Sequence, residues 1–203
     1  MGKRTEEGSW IFFAVGKRSN VYKKKIGEKW YVKKVAKEGI GIKGHIENEI
    51  HFLRILNKKG IGPSLYKAGK EWFICDFIPG ERILDYLEKT KEQRKIFVKV
   101  LEQCFIIDRL GINKEEMHNP YKHIIIKKRK VTMIDFERCR WTEKPKNVTQ
   151  FFQFLFMLKV LDRADKDVQT ALKRYKETCS KENFKQLIII VKKQGLPARV
   201  RNK

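Results

Sequence analysis

The alternation of apolar and polar positions divides the chain into a strand-rich first part and a helix-rich second part. Trp10-Ile11-Phe12-Phe13-Ala14-Val15 is an aromatic and β-branched run that GKRSN then breaks, which predicts a strand followed by a turn. VYKKKI from Val21 and KWYVKKV from Lys29 read as two more strands, and Gly27-Glu28 between them has the length and composition of a hairpin turn. The period then changes. Ile46, Ile50, Leu53 and Leu56 fall three or four residues apart and Gly60 supplies a stop, predicting one helix. LYKAGKEWFICDFI returns to strands, read as an antiparallel pair.

From Pro79 onward the period is mostly helical. ERILDYLEK predicts a short helix, and KEQRKIFVKVLEQCFIIDRLG a long one with Phe97, Val100, Leu101, Cys104 and Leu110 inward. KHIII and KVTMID form a strand pair around the basic turn at residues 127–130. NVTQFFQFLFMLKVL is a third helix, for which Asn147 is a candidate cap, and two more helices fill residues 163–193. The fold class is α+β with two lobes. Residues 1–78 form an antiparallel sheet plus one helix, residues 79–203 a mostly helical lobe, and a ligand commonly binds between such lobes.

Composition adds a partner class. Lys and Arg number 47 against 24 Asp and Glu, a net charge of +23, while 41% hydrophobic residues support a folded core. The excess predicts either an anionic partner or the heavily charged surface of a heat-adapted protein. Three basic runs carry much of it: Lys23, Lys24 and Lys25 with Lys29; residues 127–130; and the C-terminal KKQGLPARVRNK. They suit the phosphates of RNA or a ribonucleoprotein, although no aromatic residues interleave the lysines within a run. Solvated faces are the other reading. Cys75, Cys104, Cys139 and Cys179 show neither a CxxC pair nor zinc-finger spacing, so a reduced, cytoplasmic chain is expected. The N-terminus lacks an apolar leader and the run from Phe151 is too short and interrupted to span a bilayer, so no membrane partner is expected.

Candidate chemistry begins in AVGKRSNV, where Ala14, Gly16 and Ser19 are small residues at intervals of two and three ahead of Val21. Small side chains let a hairpin backbone approach phosphate oxygens and donate peptide N–H groups to them. An ordinary turn is the plainer reading of the same residues. Lys33 follows in a strand, where an inward lysine needs an anionic partner. Glu49 on the next helix offers one; otherwise Lys33 is a solvated lysine among its neighbours.

Taken in order, these segments resemble the protein-kinase fold. AVGKRSNV is similar to the glycine-rich loop, closest to its form in RIO kinases, where a serine stands for the third glycine. The resemblance makes Ala14, Gly16, Ser19 and Val21 nucleotide-binding residues. YVKK resembles the strand motif V-A-I-K, which implies Lys33 as the phosphate-contacting lysine and Glu49 as its ion-pair partner. CDFIPGE resembles the segment that joins the lobes, with Cys75 as gatekeeper and Asp76 and Ile78 offering backbone groups to adenine. VTMIDFE resembles the strand followed by D-F-G, so Asp135 is the implied ligand of Mg²⁺ or Mn²⁺, and Glu137 replaces the glycine.

The second half departs from the family. GINKEEMHNPYKHIII stands where kinases carry H-R-D and an asparagine, and Glu116, nineteen residues before Asp135, takes the place of the catalytic aspartate. That residue orients the substrate hydroxyl and accepts its proton; Glu115 competes for the role. His123 or Asn119 stands for the second metal-binding residue, and Lys122 is a candidate phosphate contact. WTEKPKNVTQF leaves no room for an activation segment, as in RIO kinases and a related archaeal group of predicted serine/threonine kinases. The resemblance thus implies an atypical serine/threonine protein kinase using ATP with Mg²⁺ or Mn²⁺ on a protein substrate. The altered loop keeps open a second class: a pseudokinase or weak ATPase serving as an RNA- or ribosome-associated scaffold.

Overall fold

The structure, a computed structural model, describes residues 9–37 and 44–193; the last ten residues of the basic tail, 194–203, lie outside them. Strands β1 (Ile11–Val15), β2 (Ser19–Ile26) and β3 (Lys29–Ala36), helix α1 (His45–Asn57), and strands β4 (Leu65–Ala68) and β5 (Trp72–Asp76) build one compact unit, which also takes in Asp135–Arg138. The five strands form an antiparallel sheet in the order β1-β2-β3-β5-β4. Ile26 pairs with Lys29 across the two-residue turn, where Gly27 has φ 58°, the left-handed conformation that such a tight turn favours.

Helix α1 buries Ile46, Ile50, Leu53 and Leu56, the residues whose spacing predicted it. It packs beside β4 and β5, and β5 buries Phe73 and Cys75 while Trp72, Ile74 and Asp76 alternate to the other face. Phe136, wholly buried, lies against this helix face next to Gly62 and Leu53. On the opposite sheet face, the Asp76 carboxylate accepts from Lys29 Nζ at 2.7 Å and from the Tyr66 hydroxyl at 2.8 Å.

The second unit, Pro79–Ile134 with the described residues from Cys139 on, holds β6 (Glu81–Arg82), α2 (Ile83–Lys89), α3 (Gln93–Arg109), β7 (Ile112–Asn113), β8 (Ile124–Lys127), β9 (Lys130–Met133), β10 (Arg140–Trp141), α4 (Asn147–Met157), α5 (Lys166–Thr178) and α6 (Lys181–Lys193). Its strands make a β6-β8-β9 sheet and a β10-β7 pair. Helix α3 packs on α4 and α6 around Phe97, Phe151, Phe152 and Phe154, all fully buried. Leu110, expected inward on the long helix, follows its last turn and is half-buried.

The expected cap of α4 needs correction. Lys146 occupies the N-cap position without a side-chain bond, and Asn147 is the first helical residue. The cap comes from α3: the buried Asp108 carboxylate accepts from the Asn147 amide at 2.9 Å, its side-chain amide at 2.6 Å and the Val148 amide at 3.2 Å. An anion there satisfies unpaired helix N–H groups and complements the helix dipole. The Tyr175 hydroxyl of α5 donates to the same carboxylate at 2.8 Å, joining three helices at one charge. Among the described residues, no helix is long and apolar enough to cross a membrane.

Two stability predictions concern the first unit. Gly62 has φ +83°, and a Cβ there would sit 2.7 Å from Leu53 Cδ1 and 2.9 Å from Phe136 Cε2. Gly62→Ala is expected to destabilise by about 1–3 kcal/mol, read as a lower urea midpoint. The second concerns acid. Burial alone would lift the Asp76 carboxyl, but its bonds from Lys29 and Tyr66 outweigh that and hold it below the usual carboxylate range. A depressed carboxyl contributes stability that is full above the unfolded value, near pH ~4, and is lost as pH falls through the folded one. Asp76→Asn should therefore flatten the acid limb of the stability curve below about pH 4, measured by urea melts across pH.

Candidate functional site

Sheet register brings Ala14 of β1, Val21 of β2, Lys34 of β3 and Phe73 of β5 into one row across the face that α1 covers. Lys34 is inward because its cross-strand partner Phe73 is buried and strand parity carries both to the same side. Its ammonium lies 2.6 Å from Glu49 Oε2, 3.3 Å from Asp135 Oδ1 and 3.6 Å from Glu137 Oε2. Burial works against the charge on Lys34, but the surrounding carboxylates, Glu49 first, more than offset it, so its pKa is raised and it stays protonated. Glu49 is 4% exposed. Desolvation pushes its carboxyl up, and the Lys34 ammonium opposes that push.

Glu49 also accepts from the Phe136 amide with its other oxygen at 3.2 Å. This bond positions Asp135, which has φ 63° in the left-handed region. Asn48, one position before Glu49 on α1, donates to the Glu137 carbonyl at 2.9 Å, and Arg18 from the β1–β2 turn reaches the Glu137 carboxylate at 3.3 Å. The segment from Asp135 to Glu137 is thus held at each residue.

Lys33 does not meet Glu49. It sits in the neighbouring row on the opposite sheet face, with its ammonium 5.0 Å from the centre of the Trp72 ring. The physical reason is the two-residue period of a strand, in which a shift of one position exchanges faces. Lys34 holds the place expected of Lys33. The signal was present: YVKK laid letter for letter on V-A-I-K ends on Lys34.

The other expected nucleotide residues divide. Ala14 and Val21 share the Lys34 row, and Cys75, buried at 5% exposure, is on the same face. Burial pushes the Cys75 thiol up, making it a packing residue rather than a thiolate. Ser19 is buried at the start of β2, where its carbonyl accepts from the Gly16 amide at 2.8 Å. That closes the turn with its own hydrogen bond and commits one N–H expected for phosphate. The Asp76 amide donates to the Ser64 carbonyl at 3.0 Å, and its side chain lies on the face away from Lys34. The Asp76 amide is therefore spoken for, while Ile78 is half-buried at the end of the unit.

In the second unit, Glu115 and Glu116 both have positive φ, 64° and 59°. Glu115 accepts from Asn113 Nδ2 at 2.8 Å and Arg140 Nε at 2.9 Å. Burial would raise its carboxyl, but these two bonds hold it below the ordinary range. Glu116 is the more exposed of the pair, and its Oε2 lies 3.1 Å from His123 Nε2. The Asn119 amide donates to the Glu116 carbonyl at 3.1 Å; the Asn119 and Lys122 side chains are exposed.

Glu49, Asp135 and Glu137 each place a carboxylate oxygen within 4.8 Å of the others. Oxygen donors of this hardness suit Mg²⁺ or Mn²⁺. Set against Lys34 and Arg18, the three carboxylates leave these five side chains with one excess negative charge, which a cation would offset. The donor set fits such an ion. Glu137, Arg18 and Asn48 were absent from the expected site. The sequence marked Glu137 only as a missing glycine, and nothing local marked Arg18 or Asn48.

No protein-family model and no curated protein sequence matches this chain. Among solved structures it is similar to WbdD, in a co-crystal with the kinase inhibitor LY294002, at a TM-score of 0.59 and 22% identity over 95% of this chain. The match takes in 46% of the WbdD chain, so this chain spans about half its length. The fold is kinase-like: a five-stranded antiparallel sheet with one helix, and a mostly helical second unit.

The two lysines separate in stability. Lys34→Met leaves three carboxylates without their buried cation and should cost about 3–5 kcal/mol, whereas Lys33→Met removes a partly exposed contact and should change stability by about 1 kcal/mol or less. Urea denaturation of both variants checks the difference.

Proposed function

We propose that this protein is an ATP-dependent phosphotransferase of atypical, RIO-like kind, transferring a phosphoryl group to a serine or threonine hydroxyl of a protein. The observation that carries the reading is the buried Lys34–Glu49 pair at 2.6 Å, with Asp135 at 3.3 Å from the same ammonium, in a chain of kinase-like fold. Phosphoryl transfer asks little covalent chemistry of a protein; it asks for positioned charge. Lys34, its direction set by Glu49, supplies a fixed positive charge for phosphate oxygens. Ala14 and Val21 keep the sheet surface beside it small and apolar, as an aromatic base requires. Asp135 and Glu137 are the residues that would hold Mg²⁺ or Mn²⁺, and the ion would supply charge neutralisation to the phosphates. Glu116, which has the longer reach of a glutamate, is the residue proposed to orient the acceptor hydroxyl and take its proton.

A second reading, nucleotide binding without transfer, draws on one observation. Glu116 is engaged by His123, one of the two residues, with Asn119, expected at the second metal-binding position, and imidazole is a poor magnesium ligand.

The two readings part in one set of measurements. Calorimetry with ATP and Mg²⁺ should show binding to the wild type and to Lys33→Ala, and none or far weaker binding to Lys34→Ala and Asp135→Asn. Radiolabelled ATP should give phosphate transfer, to the protein itself or to a general acceptor, that Glu116→Gln reduces by about 10²-fold or more. Binding without transfer in the wild type would select the scaffold reading. Full activity in Lys34→Ala or Asp135→Asn would refute the site.

A further inference from the structure

Excluded from the Lys34 cluster, Lys33 belongs to a different surface. The sheet face away from α1 carries a row that crosses all five strands: Phe12, Tyr22, Lys33, Ile74 and Lys67. At about 4.8 Å per strand the row is about 19 Å long. Beside it run Lys24, Tyr31 and Asp76, and the Tyr66 ring meets Tyr31 edge-on at 5.2 Å. Phe12 and Tyr22 make a similar T-shaped pair at 5.8 Å. Phe12 is 58% exposed and Tyr66 47%. The helix of this unit covers the other face, so these rings are not the inside of its core.

Cations are threaded through the rings. Lys29 lies 5.6 Å from the Tyr31 ring and 5.0 Å from that of Tyr66, and Lys33 lies 5.0 Å from that of Trp72. Among the described strand positions of this face, the charged residues are Lys24, which is buried, Lys29, which pairs with the one carboxylate of Asp76 at 2.7 Å, and Lys33 and Lys67. Pairing across strands adds rings of neighbouring strands to those adjacent in sequence, Trp30 and Tyr31 between Lys29 and Lys33 and Tyr66 before Lys67.

The chemistry of a partner follows from having both groups at once. An acidic protein surface would account for the lysines and leave the rings unused. A second copy of this chain would set lysines against lysines, and like charges in register oppose docking. A single-stranded nucleic acid matches both, since every base presents a π-face for stacking and every linkage a phosphate for a lysine. The chain's charge of +23 adds long-range attraction for a polyanion. We propose that the sheet face bearing Phe12, Tyr22, Lys33 and Lys67 binds single-stranded nucleic acid, with bases stacking on the exposed rings and phosphates held by the lysines. The surface is separate from the Lys34 cluster and does not depend on the phosphotransferase reading.

Fluorescence anisotropy of the full chain with short labelled oligouridylate and oligothymidylate tests the proposal. Both should bind, with affinity falling as salt rises. Phe12→Ala, at an exposed ring, should weaken binding by about five- to one-hundred-fold. Lys33→Gln combined with Lys67→Gln should reduce the salt slope by about 1.4, two phosphate contacts of a single strand. Equal affinity for the two oligomers supports stacking and phosphate contact alone, and preference for oligouridylate supports an added contact to the 2′-hydroxyl. Thermal melts establish that the variants are folded. The proposal is overturned if neither oligomer binds at low salt, or if folded Phe12→Ala and the double lysine variant both bind as the wild type does. It is equally overturned if poly-glutamate displaces the oligomer with an affinity that Phe12→Ala leaves unchanged, or if the wild type forms a dimer that blocks the oligomers.

Discussion

One buried ion pair organises the first unit. Glu49 is a carboxylate at 4% exposure on a helix, and Lys34 is the ammonium beside it at 2.6 Å. Taking two charges out of water costs more than one contact returns unless other polar groups complete the shell. Here they do. Glu49 spends its second oxygen on the Phe136 amide, while Lys34 gathers Asp135 and Glu137. Three stretches of chain that are far apart in sequence, β3, α1 and the segment at residue 135, therefore share one electrostatic node. An apolar pair could pack the same space, but it would not fix where Asp135 points.

The sheet supplies the second constraint. Strand pairing settles parity, and parity settles what each lysine of the Lys33-Lys34 doublet can do. One row sets Lys34 among small and buried neighbours facing α1. The adjacent row sets Lys33 among rings on the far face. Two surfaces of different chemistry thus come from neighbouring residues of a single strand.

Most elements were legible in the sequence because their periods are strong. The hairpin at Gly27, the α1 stripe of Ile46, Ile50, Leu53 and Leu56, and the aromatic helix α4 follow from local pattern. The candidate site was only partly legible. Glu49 and Asp135 stand in motifs that resemble a known family, and the structure brings them together. The expected lysine was one position off: the motif alignment of YVKK ends on Lys34, but two adjacent lysines offer no hydrophobic contrast that would mark which one is inward. Arg18 and Asn48 reach Glu137 across 119 and 89 positions of sequence, and no local pattern encodes such contacts. The α4 cap was misread for a similar reason: Asn147 has the right residue type, but a buried carboxylate from α3 already satisfies that helix end.

Glu137 has a consequence for timing. Its carbonyl is tied to Asn48 and its carboxylate to Arg18 and Lys34, so both the peptide and the side chain are moored. A glycine at this position would let the neighbouring peptide swing; a moored glutamate does not. The acidic cluster is consequently a fixture rather than a switch. A cation, were one to bind there, would meet carboxylates already held by Lys34, Arg18 and Asn48.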